Sequence, residues 1–293
     1  MDRISSPYLS HVLDDFLAEK QEMRDGNFKA FLYSSRGCQF GCYYCSRSVK
    51  FERVCFFSTK RFYDELEYLF SKFKISRFFV LDDAFLFSKE RLALFFEEFK
   101  KRKISNPELE SISIYAMARP ESLDEGSIFL LKGINIRWIQ IGLQTVKPDI
   151  AHFMNRDIPI DDFRNIALSL KEAGIKIHLD IISGLPFDSL EYFKRTLDFA
   201  ISLEPTRIQV KQFYLNPGTR FYFDRKKYAI EIEKTERDLH VPYVVSAAGG
   251  VDGNYHRQVD QYIEKKTKKN SSIGWRIATK SRLWTSKNYK LEM

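Results

Sequence analysis

The sequence predicts an α/β fold of six consecutive strand–helix units between Ala30 and about Leu215. Short runs rich in Ile, Val, Phe and Tyr alternate there with longer segments whose apolar residues recur at helical spacing. The strand runs have few polar residues in their interiors, which suits parallel strands covered on both faces. Parallel strands with helical crossovers form either an open doubly wound sheet or a (βα) barrel, and this periodicity is compatible with both.

The six predicted strands are AFLYSS (30–35), RFFVLD (77–82), SISIYA (111–116), RWIQIGL (137–143), KIHLDII (176–182) and RIQVKQF (207–213). Helical period covers the intervening segments 58–74, 88–103, 121–132, 160–174 and 188–204. In the fourth segment, Asp161 or Asp162 can cap the start of the helix and Gly174 follows its end. In the fifth segment, Asp188 and Glu191 have the spacing of a capping box.

Beyond residue 215 the alternation loosens. Residues 225–239 are compatible with a further helix, and VPYVVSAAGG (241–250) with a strand and a turn. Residues 254–293 are polar and basic, and their Trp275 and Trp284 argue against complete disorder. We therefore expect an N-terminal extension over residues 1–29, a β/α domain over residues 30–240 and a C-terminal basic extension over residues 241–293.

Composition indicates a soluble cytoplasmic protein with no membrane contact. No apolar run is long enough to cross a bilayer, and the N-terminus lacks the apolar core of a secretory signal. Four unevenly spaced cysteines do not make a disulfide framework. The net charge is +8, and the segment from Arg257 onward holds ten Lys and Arg against three Asp and Glu. We interpret this basic segment as a solubilising surface rather than as a contact for an anionic partner.

Three of the four cysteines lie in RGCQFGCYYCS (36–46), directly after the first strand, with the spacing C-x3-C-x2-C. Thiolates bind iron–sulfur clusters or zinc. A structural zinc ion needs four ligands, and the nearest candidates for a fourth are Cys55 or one of five scattered histidines. A cube of four irons held by three thiolates keeps one iron without a protein ligand, as a catalytic cluster requires. Gly37 and Gly41 allow the backbone to turn tightly around such a cluster.

With Tyr44 before the last cysteine, this pattern resembles the motif of the radical S-adenosylmethionine (SAM) superfamily. The resemblance implies that Cys38, Cys42 and Cys45 hold a [4Fe-4S] cluster, and that SAM chelates the fourth iron, with Tyr44 among the cofactor-binding residues. It implies that the reduced cluster splits SAM into methionine and a 5′-deoxyadenosyl radical, which abstracts hydrogen from a substrate. It also implies an electron donor such as flavodoxin or ferredoxin, and a partial (βα)6 TIM-type barrel with a C-terminal extension.

Residues at later strand ends extend the resemblance. LDDAF places Asp82 and Asp83 after the second strand, where the family motif meets the SAM amine. Gln144 in IQIGLQTV, Arg156 in HFMNRD and Asp180 in HLDIISGLP resemble residues of oxygen-independent coproporphyrinogen oxidases and cobalamin-dependent radical SAM enzymes. In those families the matching Gln and Asp bind the ribose hydroxyls and the Arg binds the SAM carboxylate, which suits their hydrogen-bonding groups.

Two further segments refine the resemblance. Gly184 begins a GLP turn, which in the family passes close to the adenine. AMARPESL places Arg119 beside the site, as in the cobalamin-dependent class, whereas the coproporphyrinogen oxidases have an acidic residue at the position of Met117. Only about thirty residues precede the first strand, and SPYLSHVLD (6–14) resembles the connector that follows the cobalamin domain in that class. We therefore expect the catalytic domain of this class without its cobalamin-binding domain.

The sequence favours radical chemistry on a small-molecule or peptide substrate. One alternative is SAM-dependent transfer of a methyl or other group, with cobalamin supplied by a partner. Another is a zinc-stabilised nucleic-acid-binding protein, in which the tail's tryptophans and basic residues grip RNA. Nucleic acid is the less favoured partner because the sequence contains no known RNA-binding module.

Overall fold

A computed structural model describes residues 1–22, 28–47, 53–86, 88–232 and 243–269. Its strands are β1 (Ala30–Leu32), β2 (Ser35–Arg36), β3 (Cys55–Phe56), β4 (Arg77–Val80), β5 (Ser113–Ala118), β6 (Ile136–Gln144), β7 (Lys176–Ser183), β8 (Arg207–Gln212), β9 (Tyr214–Leu215), β10 (Ile230–Ile232) and β11 (Tyr243–Ala248). Its helices are α1 (Asp14–Glu22), α2 (Thr59–Phe73), α3 (Lys89–Ser105), α4 (Glu125–Gly133), α5 (Pro148–Phe153), α6 (Ile160–Glu172), α7 (Leu190–Ser202), α8 (Arg220–Phe223) and α9 (Gly253–Lys269).

The central sheet contains all six predicted strands in the order β1–β4–β5–β6–β7–β8. The pairs β1–β4, β4–β5 and β5–β6 are parallel, and a register shift lies between Ile114 and Tyr115. The strands follow one another in chain order, whereas an open doubly wound sheet reverses its order at a switch point. The fold is therefore the expected partial (βα)6 barrel, with β1 and β8 at the two ends of the strand order.

Along most of the strands one face is deeply buried and the other is half-buried or exposed, whereas at the ends of β6 and β7 consecutive residues of both faces are buried, as expected. In β1, Ala30 and Leu32 are 4% and 1% exposed, but Phe31 between them is 44% exposed. The same alternation appears in β4, where Phe78 and Val80 are buried and Phe79 is half-buried. The residues of the deeply buried face are apolar because helices cover that face. The opposite face of the strands carries larger aromatic and polar side chains.

Serine and aspartate side chains start most of the crossover helices. Ser58 and Ser88 accept hydrogen bonds from backbone N–H groups in the first turns of α2 and α3. Asp124 forms a capping box with Ser127 at the start of α4. A hydroxyl or carboxylate oxygen at this position satisfies one of the N–H groups that has no partner within the helix. These caps fix where the chain leaves each strand-to-helix loop.

Two predicted helix starts are wrong. Helix α6 begins after Pro159, so Asp161 and Asp162 lie in its first turn instead of capping it. Helix α7 is capped by Ser189, which accepts from the N–H of Tyr192, so Asp188 forms no capping box. In both cases the carboxylates lie one to three residues from the cap, and local spacing does not distinguish these positions. Gly174 does follow the end of α6, at a φ of +76°.

The predicted helix over residues 225–239 is also wrong within the described part of that range. The chain makes turns there and enters strand β10 at Ile230. The expected strand near residues 241–250 is present as β11, which pairs antiparallel with β10 and with β9. Helix α9 follows and packs on α7. Trp275, Trp284 and the rest of the chain from residue 270 lie outside the described residues.

The contacts divide the chain into two compact units. The first unit consists of residues 1–142 and 155–178, and it contains the cysteine loop. The second unit consists of residues 143–154 and 179–293, and it contains the end of β6, the end of β7 and helix α9. Among the described residues, none of the helices has the length and apolarity needed to cross a membrane.

Candidate functional site

The three clustered cysteines lie in the first unit, in the loop that follows the short strand β2. Gly37, at a φ of +99°, turns the chain into this loop, and the N–H of Cys45 donates to the carbonyl of Cys42 over 3.1 Å. None of the cysteines forms a disulfide. Cys42 is buried and the other two are half-buried. Burial raises the pKa of the Cys38 thiol, and the charges of the neighbouring cysteines raise it further. The loop thus presents three free thiols within eight residues.

Asp82 holds the chain segment that leads into this loop. Its carboxylate accepts hydrogen bonds from the backbone N–H groups of Ser34 and Ser35, at 2.7 and 3.0 Å, and from both serine hydroxyls. Asp82 is fully buried, and burial raises its pKa although these hydrogen bonds act to lower it. The resemblance predicts Asp82 as a SAM contact. In the structure both of its oxygens hold Ser34 and Ser35, the two residues that lead into the cysteine loop.

The other predicted acid, Asp83, is bonded to a side chain from the far end of the cysteine loop. Its carboxylate forms an ion pair with Arg47, whose side chain is 57% exposed. A second arginine, Arg91 of α3, donates from Nη2 to the carbonyls of Ser34 and Phe57 at 2.9 and 3.0 Å. The end of β4 and the start of α3 thus brace the cysteine loop at its entrance and its exit.

Arg119, which follows β5, contacts the loop directly. Its Nη1 donates to Cys42 Sγ at 3.4 Å, and its guanidinium carbon lies 4.4 Å from the centroid of the Phe40 ring. Glu121 accepts from its Nε and Nη2 at 3.0 and 2.5 Å, and the carbonyl of Asn155 accepts from Nη2 at 3.4 Å. All donor-bearing nitrogens of this guanidinium therefore face the cysteine loop or the groups that orient it.

Arg156 is 6% exposed and lies beside the same carboxylate. Its Nε is 3.9 Å from Glu121 Oε1 without forming a hydrogen bond, and its Nη2 donates to the carbonyl of Gly142. Burial acts to lower the pKa of Arg156, but the charges of Tyr44, Glu121 and Cys42 raise it. Burial acts in turn to raise the pKa of Glu121, and its contacts with both arginines hold that pKa below its usual value. Glu121 is therefore a carboxylate between two cations.

Tyr44 is half-buried beside these groups, and desolvation raises the pKa of its phenol. Its environment includes the Arg156 guanidinium and the thiols of Cys42 and Cys45. The first unit thus brings together Cys42, Tyr44, Arg119 and Arg156 from the predicted set. Among the described residues, no three His, Cys, Asp or Glu side chains converge as they would around a single metal ion.

Gln144 ends β6 in the second unit, and its backbone and side chain are both unusual. Its φ of +63° lies in the left-handed region, which non-glycine residues adopt rarely and at a cost. It is 7% exposed, and its Oε1 has no hydrogen-bond partner among the described residues. A buried amide oxygen in this state is uncommon in native proteins and calls for an explanation.

The remaining predicted residues lie at the end of β7 in the second unit. Asp180 is an ion-pair partner of Lys211, with 3.6 Å between Oδ2 and Nζ. Gly184, at a φ of +79°, donates its N–H to the hydroxyl of Tyr255 at 3.3 Å. That hydroxyl donates to the buried carboxylate of Asp188 at 2.7 Å. The start of helix α9 therefore fixes the turn at Gly184.

Sequence reasoning missed several of the residues that build these sites. Ser34 and Ser35 end the first predicted strand, just before the cysteines, but nothing in the sequence indicated that their hydrogen-bond partner is Asp82. Glu121 could have been suspected because it stands two residues from Arg119 and beside a proline. His256, whose ring lies so close that a Cβ added to Gly184 would be 2.6 Å from its Cε1, comes from the basic extension and gave no signal.

Comparisons with known proteins agree with this architecture. An uncharacterized methyltransferase of Pyrococcus horikoshii is 26% identical over 217 residues, which cover 74% of this chain and 45% of that protein. The structure of TsrM from Kitasatospora setae, a radical S-adenosylmethionine methyltransferase with tryptophan and a SAM analogue bound, has a TM-score of 0.65 at 18% identity, over 71% of this chain and 42% of that one. Coproporphyrinogen III oxidase (HemN) from Escherichia coli, a radical SAM enzyme, has a TM-score of 0.58 at 15% identity, over 87% and 56%.

The chain spans about half the length of these three proteins. At such identities the two structures support the fold alone. The family comparison is more specific, because the Radical SAM superfamily profile matches residues 32–200. That range is more than half of the chain, and it contains the cysteine loop, Arg119, Arg156 and the turn at Gly184. On this match, and on the fold that carries it, the chain belongs to the radical SAM superfamily.

Proposed function

We propose that this protein is a radical SAM enzyme that binds a [4Fe-4S] cluster on Cys38, Cys42 and Cys45 and acts on a small-molecule or peptide substrate. The observation that carries the proposal is the single loop that presents three disulfide-free cysteines after the first strand of a parallel sheet. When bound, the cluster and SAM supply one-electron reductive cleavage of SAM to methionine and a 5′-deoxyadenosyl radical, which abstracts hydrogen from the substrate. The electron comes from a donor of the flavodoxin or ferredoxin class.

The residues present fit these groups. Three thiols with the C-x3-C-x2-C spacing match the donor set of a cluster whose last iron is free of protein ligands. Arg156 keeps a buried Nε without a hydrogen bond, and a guanidinium N–H is a strong donor to a carboxylate. Gln144 keeps a buried amide oxygen without a donor, which suits a hydroxyl group of a ligand. We propose that Arg156 binds the SAM carboxylate and that Gln144 binds a ribose hydroxyl.

We propose that the remaining predicted residues position SAM and the cysteine loop and exclude water from the cluster. Asp180 carries a carboxylate suited to accept from hydroxyls, and Lys211 forms an ion pair with it at 3.6 Å. Gly184 turns the chain at a φ of +79°, and we propose that the turn it begins packs on the adenine. We propose that Tyr44, which lies beside Cys42 and Cys45, excludes water from the sulfur ligands. Asp82 and Asp83 act by holding the cysteine loop, through Ser34, Ser35 and Arg47.

Anaerobic reconstitution tests the proposal. The full chain should bind about four irons and as many sulfides. With a reductant and SAM it should release 5′-deoxyadenosine. Replacing Cys38, Cys42 or Cys45 with serine should abolish this release and most iron binding, whereas Cys55→Ser, in the neighbouring strand β3, should retain both. A protein that holds no sulfide, or a triplet variant that still cleaves SAM at the full rate, would show the proposal to be wrong.

Group transfer from SAM is a second candidate, because a methyltransferase matches 74% of this chain. The two reactions leave different products from the same cofactor. Methyl transfer leaves S-adenosylhomocysteine and moves the label of methyl-labelled SAM to the acceptor, whereas hydrogen abstraction leaves methionine and 5′-deoxyadenosine. Assaying both nucleoside products, with and without added cobalamin, decides between these candidates.

A further inference from the structure

Cys42 differs from Cys38 in its surroundings. It is 8% exposed, and the guanidinium of Arg119 donates a hydrogen bond to its sulfur at 3.4 Å. Arg119 is itself only 12% exposed at its side chain, so its charge acts in a partly desolvated setting. The sulfur of Cys38 contacts instead an uncharged carbonyl, that of Phe40, at 3.9 Å.

The charge at Cys42 depends on further residues, because the side chain of Arg156 also interacts with Cys42 and Glu121 contacts both arginines. Glu121 accepts two hydrogen bonds from Arg119, at Nε and Nη2, which leaves Nη1 directed at the sulfur. The same carboxylate lies 3.9 Å from Nε of Arg156. This bidentate bond both orients the Arg119 guanidinium and offsets part of its positive charge. Arg119 and Glu121 therefore act on the same sulfur with opposite electrostatic signs.

We propose that Arg119 and Glu121 are positioning residues that set the reduction potential of the cluster through Cys42, with Arg119 raising it and Glu121 lowering it. The inference rests on the proposed cluster. The reduced cluster carries one more negative charge than the oxidised cluster, so a fixed positive charge at a ligand sulfur stabilises the reduced form. Hydrogen bonds to the sulfurs and local net charge are general determinants of iron–sulfur potentials.

The contacts of Arg119 also restrain the loop that carries the ligand. Its guanidinium stacks over Phe40, which lies between Cys38 and Cys42, and it donates to the carbonyl of Asn155 at 3.4 Å. Asn155 has a φ of +61°, and its amide nitrogen lies 3.3 Å from where a Cβ on Gly41 would stand. The sulfur is therefore fixed relative to the charge, and a substitution at Arg119 can change position as well as potential.

A purely positional role and an electrostatic role predict different patterns. Loss of position alone should shift the potential in the same direction when either residue is changed, or should only reduce cluster loading. An electrostatic role requires shifts of opposite sign. Arg119→Gln removes a positive charge and should lower the midpoint potential, whereas Glu121→Gln removes a negative charge and should raise it. Arg119→Lys keeps the charge and should lie closer to the wild type than Arg119→Gln does.

The experiment is an EPR-monitored redox titration of the anaerobically reconstituted full chain without SAM, so that Arg156 binds no added carboxylate. Arg102→Gln is the matched control, since Arg102 is also bound by carboxylates, is 13% exposed at its side chain and belongs to the same unit. It should leave the potential unchanged. Iron and sulfide analysis of each variant reports loading separately from potential.

The opposite shifts at positions 119 and 121, with no shift at 102, support the inference. Shifts of the same sign, or shifts no larger than that of Arg102→Gln, overturn it. Should Arg119→Gln fail to retain iron, the sign of the Glu121→Gln shift decides alone, because that substitution preserves size and leaves Arg119 in place. A wild-type protein without iron and sulfide overturns the proposed function together with this inference, whereas a wild type with a titratable cluster and unshifted variants overturns the inference only.

Discussion

Two regions of the molecule treat their buried polar groups differently. At the base of the cysteine loop, Asp82 is fully buried and both of its oxygens accept hydrogen bonds, four in all, from Ser34 and Ser35. At the end of β6, Gln144 is almost as deeply buried, but its amide oxygen has no hydrogen-bond partner among the described residues. The backbone differs too, since Gln144 alone of these residues has a positive φ.

The difference separates residues that build a site from residues that receive a ligand. A buried acceptor whose bonds are all made within the protein contributes to the folded state before any ligand arrives. A buried acceptor without a donor, held in a costly backbone conformation, lowers stability unless something else completes it. Both residues were predicted from the same resemblance as SAM contacts. We propose that Asp82 shapes the loop and that Gln144 receives the ligand.

The largest effect is expected from Asp82→Ala. This change leaves the N–H and hydroxyl groups of Ser34 and Ser35 without their buried acceptor, and we expect the free energy of unfolding to fall by about 4 kcal/mol. Urea denaturation of the metal-free protein measures this loss. Asp83→Ala is the neighbouring control, and it should cost less than about 1 kcal/mol, because the partner of Asp83 is the largely exposed Arg47. Equal losses at the two positions would contradict the distinction.

A smaller effect is expected at Gly184. An alanine there would have a positive φ and a Cβ 2.6 Å from Cε1 of His256, and we expect a loss of about 3 kcal/mol. Gly174 has nearly the same φ, but nothing lies within 4 Å of its Cβ position, so Gly174→Ala should cost only about 1 kcal/mol. Thermal or urea unfolding of both variants isolates the contribution of crowding.

Adding His256→Ala to Gly184→Ala should recover the crowding part of the loss and leave the backbone part. A double variant no more stable than Gly184→Ala alone would show that the crowding lies elsewhere. Recovery of stability in the double variant would show that His256 packs against Gly184. Gly184 would then resemble Asp82, whose contacts are made within the protein.

The sequence allowed the fold to be predicted far more completely than the contacts within the site. Six strands and five helices follow from local apolar spacing, which the chain carries within each segment. The cysteine motif is local as well. The bonds between Asp82 and Ser34 join residues 48 apart, and the bond between Tyr255 and Gly184 joins residues 71 apart. Such partners depend on which strand ends become neighbours and on side-chain rotamers, and no local period encodes them.

The same reasoning explains the role of Glu121, which was not predicted. Its position next to Pro120 and near Arg119 is visible in the sequence, but its contact with Arg156 depends on the loop after α5. A resemblance assigns ligand contacts by motif position, and it gives no information on which of those side chains are already bonded to each other. Arg119 is an example, because its donors are bonded to Glu121, Cys42 and Asn155.

The smallest effect on stability is expected at Gln144, and it tests the comparison most directly. Because Oε1 of Gln144 makes no hydrogen bond, Gln144→Ala should change the free energy of unfolding by less than about 0.5 kcal/mol. Gln144→Gly, which also relieves the positive φ, should raise it by up to about 1 kcal/mol. Gln140, on the same strand, accepts from the hydroxyl of Tyr115 at 2.5 Å, so Gln140→Ala should cost about 1 kcal/mol.

The effect of the two alanine substitutions on SAM binding should have the reverse order, with the larger effect at Gln144. SAM that binds only the folded reconstituted protein raises its melting temperature, and the rise depends on affinity. Removing the amide that we propose to bind a ribose hydroxyl should weaken SAM binding by about tenfold, the equivalent of one hydrogen bond at about 1.4 kcal/mol. The melting-temperature rise should therefore shrink in Gln144→Ala and persist in Gln140→Ala. A full SAM response in Gln144→Ala would mean that its buried oxygen is a defect of the turn rather than a place kept for the ligand.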